Sequence, residues 1–380
     1  MNNEKKISIL QDVIRIKSEN NNETAVAEYF QRLLAEYEID SKLIEYAPGR
    51  SNLIAEITGH KPGKILAYSG HMDVVAAGDL REWTYDPYGA EIVDGKMYGR
   101  GTTDMKAGLT AMVIALIELK ESGKSFKGTL RLAASVGEEI GMYGSQQLTD
   151  EGYLDDIDAM IIGEPSGKDA IITAHKGSVQ YEVISHGRAA HSSMPEKGIN
   201  ALMQMNTFIT KADAKFEAAS KTASNEKLGP MLNVFTVIEG GTQINSVPEQ
   251  TVLKANARTI PECDNRVVLD ILNTTIEELN TTIDGRLELN ILQNNMAVER
   301  SDESVLVQTI RKVTGRNLPA RGLGGATDAS NFCRVEKEFD LAIFGPGESS
   351  VAHTVNEYVE IDDYLAFCDI FVAVAADYLQ

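Results

Sequence analysis

Residues 64–75 read KILAYSGHMDVV, and this stretch decides the fold. Its first part, Ile65 to Tyr68, is a short apolar run of the kind that forms a buried strand. A Ser-Gly pair ends the run, and His71 and Asp73 follow it. In an open α/β sheet, the chemistry lies just beyond the carboxyl ends of the strands. His71 and Asp73 fit an imidazole metal ligand and the carboxylate that holds its second ring nitrogen, although a histidine in this place is more often structural.

The same arrangement of an apolar run followed by polar groups recurs along the chain. The further runs are Thr129 to Val136, Ala159 to Ile162 and Leu341 to Phe344. The polar residues that follow these runs, or that precede the apolar helix expected at Leu109 to Leu119, are Glu138, Glu139, Glu164, His353 and Asp104. Burial of an isolated charge costs several kcal/mol, so such groups are solvated, paired or bound to metal. Their recurrence at strand ends predicts a metal site.

Composition limits the classes of partner. The formal net charge of -20 argues against nucleic acid and anionic membrane surfaces. The start of the chain has no apolar core of signal-peptide length, and we expect a cytoplasmic protein. Three widely separated cysteines with no Cys-x-x-Cys pair favour neither a disulfide framework nor a thiolate zinc site. No P-loop, dinucleotide fingerprint or Gly-x-Ser-x-Gly motif is present.

The order of the predicted elements indicates two domains. Strands alternate with helices in the first part, which predicts an α/β fold with a mostly parallel sheet covered by helices. There, residues 51–58 and 64–68 are expected to form a hairpin. After His175 the order becomes β-α-β-β-α-β, which matches a ferredoxin-like unit. We therefore predict a catalytic domain of residues 1–176 and 293–380, interrupted by an inserted lid or dimerisation domain of residues 177–292.

Four segments together carry a family resemblance. SGHMDVV, GRGTTDMKAG, GEE and GEPS, in this order and spacing, resemble the dinuclear zinc amidohydrolases. That family includes succinyl-diaminopimelate desuccinylase, acetylornithine deacetylase, aminoacylase and glutamate carboxypeptidase. GHMDVV, the paired GEE and AHKGS are most similar to Gram-positive members assigned as succinyl-diaminopimelate desuccinylases. The resemblance covers nearly the whole chain.

The resemblance implies a ligand set and a general base. Asp104 would bridge two Zn²⁺ ions per subunit, with His71 and Glu164 completing one site and Glu139 and His353 the other. Glu138 would be the general base, and Asp73 would belong to the catalytic machinery. Oxygen and imidazole ligands without cysteine suit Zn²⁺, and Co²⁺ or Mn²⁺ are possible substitutes.

The resemblance also implies roles outside the metal site. His191 matches a histidine that a dimer partner contributes to the neighbouring site, so a homodimer is expected. The residues that match substrate-binding positions are Asn245, Arg258 and Asp328. In the known desuccinylases an arginine follows the Gly-rich segment, but this chain has Ser330 at that position. Arg321 is a candidate replacement.

The function that this reading favours is hydrolysis of an N-acyl amide of an amino acid. N-succinyl-LL-2,6-diaminopimelate would give succinate and diaminopimelate, a step of lysine biosynthesis. Three alternatives stay open: an acetylornithine-type or other deacylase, a metallo-carboxypeptidase or dipeptidase, and a catalytically inert metal-binding scaffold. An intact Glu138 argues against the scaffold, because a binding protein has no use for a general base.

Overall fold

The computed structural model describes residues 1–380, which form two compact units. The first unit consists of Met1–Thr173, Arg300–Arg321 and Thr327–Gln380. The second consists of Ala174–Glu299 and Gly322–Ala326. The two main boundaries, after Thr173 and after Glu299, lie within a few residues of the expected ones at residues 176 and 293, and the short segment Gly322–Ala326 was not expected in the second unit. The role of the second unit as a lid or dimerisation domain stays a prediction.

Ten helices and twenty strands make up these units. The helices are α1 (Asn3–Arg15), α2 (Thr24–Glu36), α3 (Lys106–Glu121), α4 (Glu138–Gly141), α5 (Tyr143–Asp150), α6 (Ala201–Ser220), α7 (Asn265–Asn280), α8 (Val305–Thr314), α9 (Ala329–Phe332) and α10 (Ile361–Tyr378). The strands are β1 (Ser41–Ala47), β2 (Arg50–Thr58), β3 (Lys61–His71), β4 (Glu91–Val93), β5 (Lys96–Tyr98), β6 (Lys127–Ser135), β7 (Ala159–Ile162), β8 (Ile171–His175), β9 (Ser178–His186), β10 (Ala190–His191), β11 (Ser224–Asn225), β12 (Gly229–Pro230), β13 (Leu232–Gly240), β14 (Ser246–Val247), β15 (Gln250–Arg258), β16 (Arg286–Asn295), β17 (Val298–Glu299), β18 (Ala320–Leu323), β19 (Asp340–Ile343) and β20 (Tyr358–Glu360).

The first unit is built on a sheet in the order β1-β2-β6-β3-β7-β19-β8. Its four central strands, β6, β3, β7 and β19, run parallel, and the strands on either side are antiparallel. The apolar runs at Leu66–Tyr68 and Ala159–Ile162 are fully buried, as expected of strands covered on both faces. The predicted α/β class with a sheet covered by helices is confirmed.

Helix α3 forms the centre of the first core. All but three of its residues are buried, and it packs against α1, α10 and β3. A helix that is apolar on every side belongs in the interior of a large core. No helix of this chain is both long and apolar enough to cross a membrane.

The predicted hairpin between residues 51–58 and 64–68 is wrong. Strand β6 lies between β2 and β3 and pairs with both, antiparallel to β2 and parallel to β3. The hairpin partner of β2 is β1, an unpredicted strand, across a turn at Gly49 with a φ of 79°. The turn residues between the two runs favoured a hairpin, but a local turn does not determine which strands pair, and β6 pairs with both.

The second unit contains the predicted ferredoxin-like motif. Its four-stranded antiparallel sheet has the order β13-β15-β9-β16, and helices α6 and α7 pack on one face. Alternate residues of β9, including Val179, Tyr181 and Val183, point into the core shared with those helices. Strands β13 and β16 are the two edges of this sheet.

Buried His175 gives the stability of the protein a pH dependence. Burial lowers the pKa of its imidazole to about 4, Nδ1 lies 2.9 Å from the carbonyl oxygen of Lys176, and Nε2 has no partner. Since the folded pKa lies below the unfolded value of about 6.5, the unfolded chain takes up the proton first as the pH falls. This single group should reduce the free energy of unfolding by about 2 kcal/mol between pH 7 and pH 5.

The test is urea denaturation of wild type and His175→Asn at both pH values. The variant should be less stable at pH 7 but should lose about 2 kcal/mol less than wild type on acidification. His60→Asn, at an exposed histidine, serves as the control and should follow wild type. An equal loss of stability in wild type and His175→Asn would show that this histidine is not the group responsible.

Candidate metal centre

Parallel strand ends bring most of the predicted site residues to one edge of the first sheet. His71 is the last residue of β3, Glu138 and Glu139 follow β6 by a short turn, and Glu164 follows β7. Asp104 precedes α3. Because β6, β3 and β7 are adjacent and parallel, their carboxyl ends present these side chains to the same place.

His71 is oriented by its own loop. Its Nδ1 lies 2.9 Å from the backbone carbonyl of Asp73, so this nitrogen carries the proton and donates it. Nε2 lies 3.0 Å from Oδ1 of Asp104 and 3.6 Å from Oε1 of Glu164, and it is the nitrogen that would give its lone pair to a metal ion. The Asp73 carboxylate, expected to hold His71, is more distant: its Oδ1 lies 3.6 Å from Nδ1, so it makes an ion-pair contact while the carbonyl of the same residue accepts the hydrogen bond. A backbone carbonyl orients an imidazole in the same manner.

The Asp73 carboxylate instead holds the segment that carries the glutamate pair. Its two oxygens accept the backbone N–H groups of Glu138 and Glu139, each at 3.1 Å. Gly137 before them has a φ of 68°, and a Cβ there would lie 2.4 Å from a guanidinium nitrogen of Arg50. This positive φ and close contact favour glycine at the turn before the glutamate pair.

Asp104 stands between the two predicted histidine ligands. Its Oδ1 faces Nε2 of His71 at 3.0 Å, and its Oδ2 faces Nε2 of His353 at 3.3 Å. His353 is also 2.9 Å from Oε1 of Glu139. The five predicted ligands thus lie in one cluster, and one carboxylate faces both imidazoles. Their role as ligands stays a prediction.

The cluster is electrostatically crowded. Burial, with the neighbouring carboxylates, raises the pKa values of Glu138 and Glu164 well above the usual range and that of Glu139 less far. Burial alone would lower the pKa of His71, but Glu164, Asp104 and Asp73 outweigh it and raise that pKa. Hydrogen bonds to Asp104 and Glu139 raise the pKa of His353 to about 10. Charges held this closely need compensation.

The donor set fits divalent metal ions. Two groups of side chains have ligand atoms that lie within 4.8 Å of one another inside each group. The first group is His71, Asp104 and Glu139, and the second is His71, Glu138 and Glu164. Imidazole nitrogen and carboxylate oxygen without thiolate suit Zn²⁺ and its close substitutes. Glu138 belongs to the second group, so its position alone does not distinguish a general base from a metal ligand.

Asp328 and Ser330, singled out in the sequence, are both buried. Asp328 accepts a hydrogen bond from the hydroxyl of Ser135 at 2.5 Å, its Oδ1 has no partner, and burial raises its pKa to about 6. Ser330, at the position where the resemblance implied an arginine, is buried in α9. Arg321 is exposed on β18.

The other predicted residues lie in the second unit. His191 is exposed on β10, which pairs with β14, so that His191 is opposite Ser246. The backbone carbonyl of Asn245 accepts the N–H of Ser192, which places His191 and Asn245 side by side. Arg258 is half-buried at the end of β15, where burial lowers its pKa.

Sequence reasoning missed Glu357. It is fully buried, pairs with Arg100, and accepts the backbone N–H groups of Thr103 and Asp104. Its only sequence signal is its place four residues after His353. Nothing in that pattern distinguishes it from a solvated glutamate.

Comparisons with known proteins agree with this geometry. The sequence profile of the peptidase family M20/M25/M40 matches residues 67–377. A Staphylococcus epidermidis protein named "Probable succinyl-diaminopimelate desuccinylase" is 40% identical over 99% of this chain and 98% of its own. The succinyl-diaminopimelate desuccinylase of Wolbachia pipientis is 27% identical, over 94% and 89% of the two chains.

Solved structures share the fold. The aminopeptidase PepT of Bacillus cereus superposes with a TM-score of 0.78 at 23% identity over the whole of both chains. The metallo-carboxypeptidase Sso-CP2 of Sulfolobus solfataricus does so with a TM-score of 0.80 at 19% identity, over 100% of this chain and 99% of its own. The resemblance seen in the sequence is confirmed: the chain is a metal-dependent amidohydrolase that belongs to the peptidase family M20/M25/M40.

Proposed function

We propose that this protein removes the succinyl group from N-succinyl-LL-2,6-diaminopimelate with the help of two zinc ions. The observation that carries the chemistry is the cluster in which the Asp104 carboxylate faces the imidazoles of both His71 and His353. The substrate rests on relatives 40% identical to the chain whose names state this activity.

The proposed ligands divide into two groups around Asp104. His71 and Glu164 serve one ion, and Glu139 and His353 serve the other, in agreement with the distances of 3.6 Å and 2.9 Å within these pairs. When bound, the two ions polarise the scissile carbonyl and lower the pKa of the attacking water.

Glu138 acts as the general base. Its backbone is fixed by Asp73, and its carboxylate forms none of the hydrogen bonds that tie Glu139 and Asp104 to the histidines. It takes a proton from the water as the oxygen attacks the amide carbon. The carbon–nitrogen bond then breaks, and Glu138 delivers the proton to the leaving nitrogen, which yields a carboxylate and an amine.

Glu138→Ala should retain metal and fold but lose turnover. Loss of a general base costs about 10²- to 10⁴-fold in kcat. Metal content by mass spectrometry and steady-state kinetics measure the two properties separately. Glu151→Ala, at an exposed glutamate after α5, is the matched control and should behave as wild type. A near-normal kcat in Glu138→Ala would assign the base to another residue.

A homodimer through the second unit is part of the proposal. Edge strand β13 exposes Leu232, Val234, Val237 and Ile238, each by more than two fifths. An apolar edge strand is prone to aggregation unless another strand covers it, and a second copy satisfies this requirement symmetrically. In the dimer, the His191 imidazole would donate a hydrogen bond to the oxyanion that forms in the partner's site.

Mixed subunits test this assignment. His191→Ala and Glu138→Ala should each be inactive as homodimers, but a mixed dimer holds one site with both groups intact. Activity should therefore return on mixing, up to a fraction set by the share of mixed dimers. Subunit exchange is verified independently with a tagged copy. Proven exchange without recovered activity would contradict action of His191 in trans.

Arg258 is suited to the carboxylate that N-acyl amino acids share. No acidic side chain pairs with it. The pKa of nearby Lys176 is lowered by burial and, to a smaller extent, by the positive charge of Arg258. Two close cations without a carboxylate between them attract an anionic ligand. Exposed Arg321 remains the candidate for the carboxylate of the succinyl group.

The substrate assignment is tested by comparing N-succinyl with N-acetyl substrates. Wild type should prefer the succinyl compound. Because a charge-assisted hydrogen bond is worth roughly 1.5–3 kcal/mol, Arg321→Ala should raise KM for succinyl substrates by about one to two decades and leave acetyl substrates nearly unchanged. Arg258→Ala should penalise both alike. A wild type that prefers acetyl compounds or peptides would refute the desuccinylase activity, and equal losses in Arg321→Ala would remove that residue.

A further inference from the structure

Glu357 uses its two carboxylate oxygens for different contacts. Oε1 accepts the backbone N–H of Thr103 at 2.8 Å and that of Asp104 at 3.0 Å. Oε2 accepts Nη1 of Arg100 at 2.5 Å. Glu357 is completely buried and Arg100 nearly so. A carboxylate buried this deeply is stable only because every one of these donors is present.

These contacts join the two segments that carry Asp104 and His353. Glu357 lies four residues after His353 and holds the backbone of Asp104 itself. Further bonds connect the same segments, from Gly99 N–H to the carbonyl of Glu357 and from the hydroxyl of Thr103 to the carbonyl of Tyr358. Glu357 therefore connects the segment of Asp104 to the segment of His353, whose Oδ2 and Nε2 atoms are 3.3 Å apart.

We propose that Glu357 is a positioning residue that sets the affinity of the metal position formed by Asp104, Glu139 and His353. This inference rests on the proposed two-metal function. Groups that orient metal ligands typically change metal affinity 10- to 100-fold when they are replaced. Glu357 binds the backbone of Asp104 and supplies no donor atom to the two ligand groups. It should therefore affect metal binding and leave KM unchanged.

Glutamine is the informative replacement at this position. If its carbonyl oxygen takes the place of Oε1, the two backbone N–H groups keep an acceptor, but its NH₂ group faces Nη1 of Arg100. If the side chain turns over, the NH₂ group faces the two N–H groups instead. In either orientation the NH₂ group of glutamine, a hydrogen-bond donor, faces another donor. Glu357→Gln therefore disturbs the Asp104 backbone with almost no change in the volume of the side chain.

The matched control is a partly buried ion pair of the first unit. Glu118 on α3 contacts Nζ of Lys6 and the N-terminal amino group, each at 3.0 Å, and Lys6 is buried. Glu118→Gln makes the same chemical change in a group that contacts none of the proposed ligands. It should lower the melting temperature and leave metal affinity as in wild type, which separates general destabilisation from a role in metal binding.

The experiment is competition of the metal-free proteins with a chelator for Zn²⁺. Wild type should bind two ions. Glu357→Gln should bind one of them about 10- to 100-fold more weakly, lose activity at limiting zinc, and recover it in excess zinc with an unchanged KM. Two ions bound with wild-type affinity, or a raised KM with unchanged metal affinity, would overturn the inference. A wild type that binds fewer than two ions would instead refute the proposed two-metal function.

Hydrogen exchange of wild type keeps the proposal testable if Glu357→Gln does not fold. In the metal-free protein the amides of Thr103 and Asp104 should already be protected, because Glu357 accepts both. Amides that exchange freely until zinc is added would show that the metal, and not Glu357, orders this backbone, and would overturn the inference.

Discussion

Repulsion among carboxylates at one edge of the first sheet is the constraint to which the site is adapted. Glu138, Glu139, Glu164 and Asp104 converge there with only two imidazoles among them. Divalent cations or extra protons would reduce the repulsion within this cluster. The raised pKa values of the glutamates show that they bind protons more readily than an isolated glutamate does. The surrounding chain must hold these groups together although they repel one another.

Backbone N–H groups held by buried acids supply that restraint. Asp73 fixes the turn that carries the glutamate pair, and Glu357 fixes the turn that carries Asp104. Neither of these two carboxylates belongs to the ligand groups. Each one accepts hydrogen bonds from the backbone N–H groups of residues that do belong to them. Side chains can then lie close together, because their positions are set by the backbone and not by attraction between them.

Residues whose position follows from strand order could be predicted from the sequence. The buried runs before His71, Glu138 and Glu164 identify strands, and parallel strands end at one edge, so the convergence of the site followed. The pairing of β2 and β3 did not, because strand neighbours depend on β6, which lies far away in sequence. The hydrogen bond from His71 to the Asp73 carbonyl and the burial of Glu357 could not be predicted either. A sequence pattern does not show whether a backbone carbonyl or a side chain accepts a hydrogen bond, or whether an acidic residue is buried and paired or exposed.

The order in which the sheet strands occur along the chain has a consequence for synthesis. The second unit's ferredoxin-like motif is complete once residue 295 has emerged, whereas β19 enters the first sheet between β7 and β8 only after residue 343. Since domains fold as they leave the ribosome, the inserted unit can fold before its host. Until then the host sheet lacks a central strand, and β7 and β8 each present an unpaired edge at which a nascent chain is open to chaperones or to mispairing.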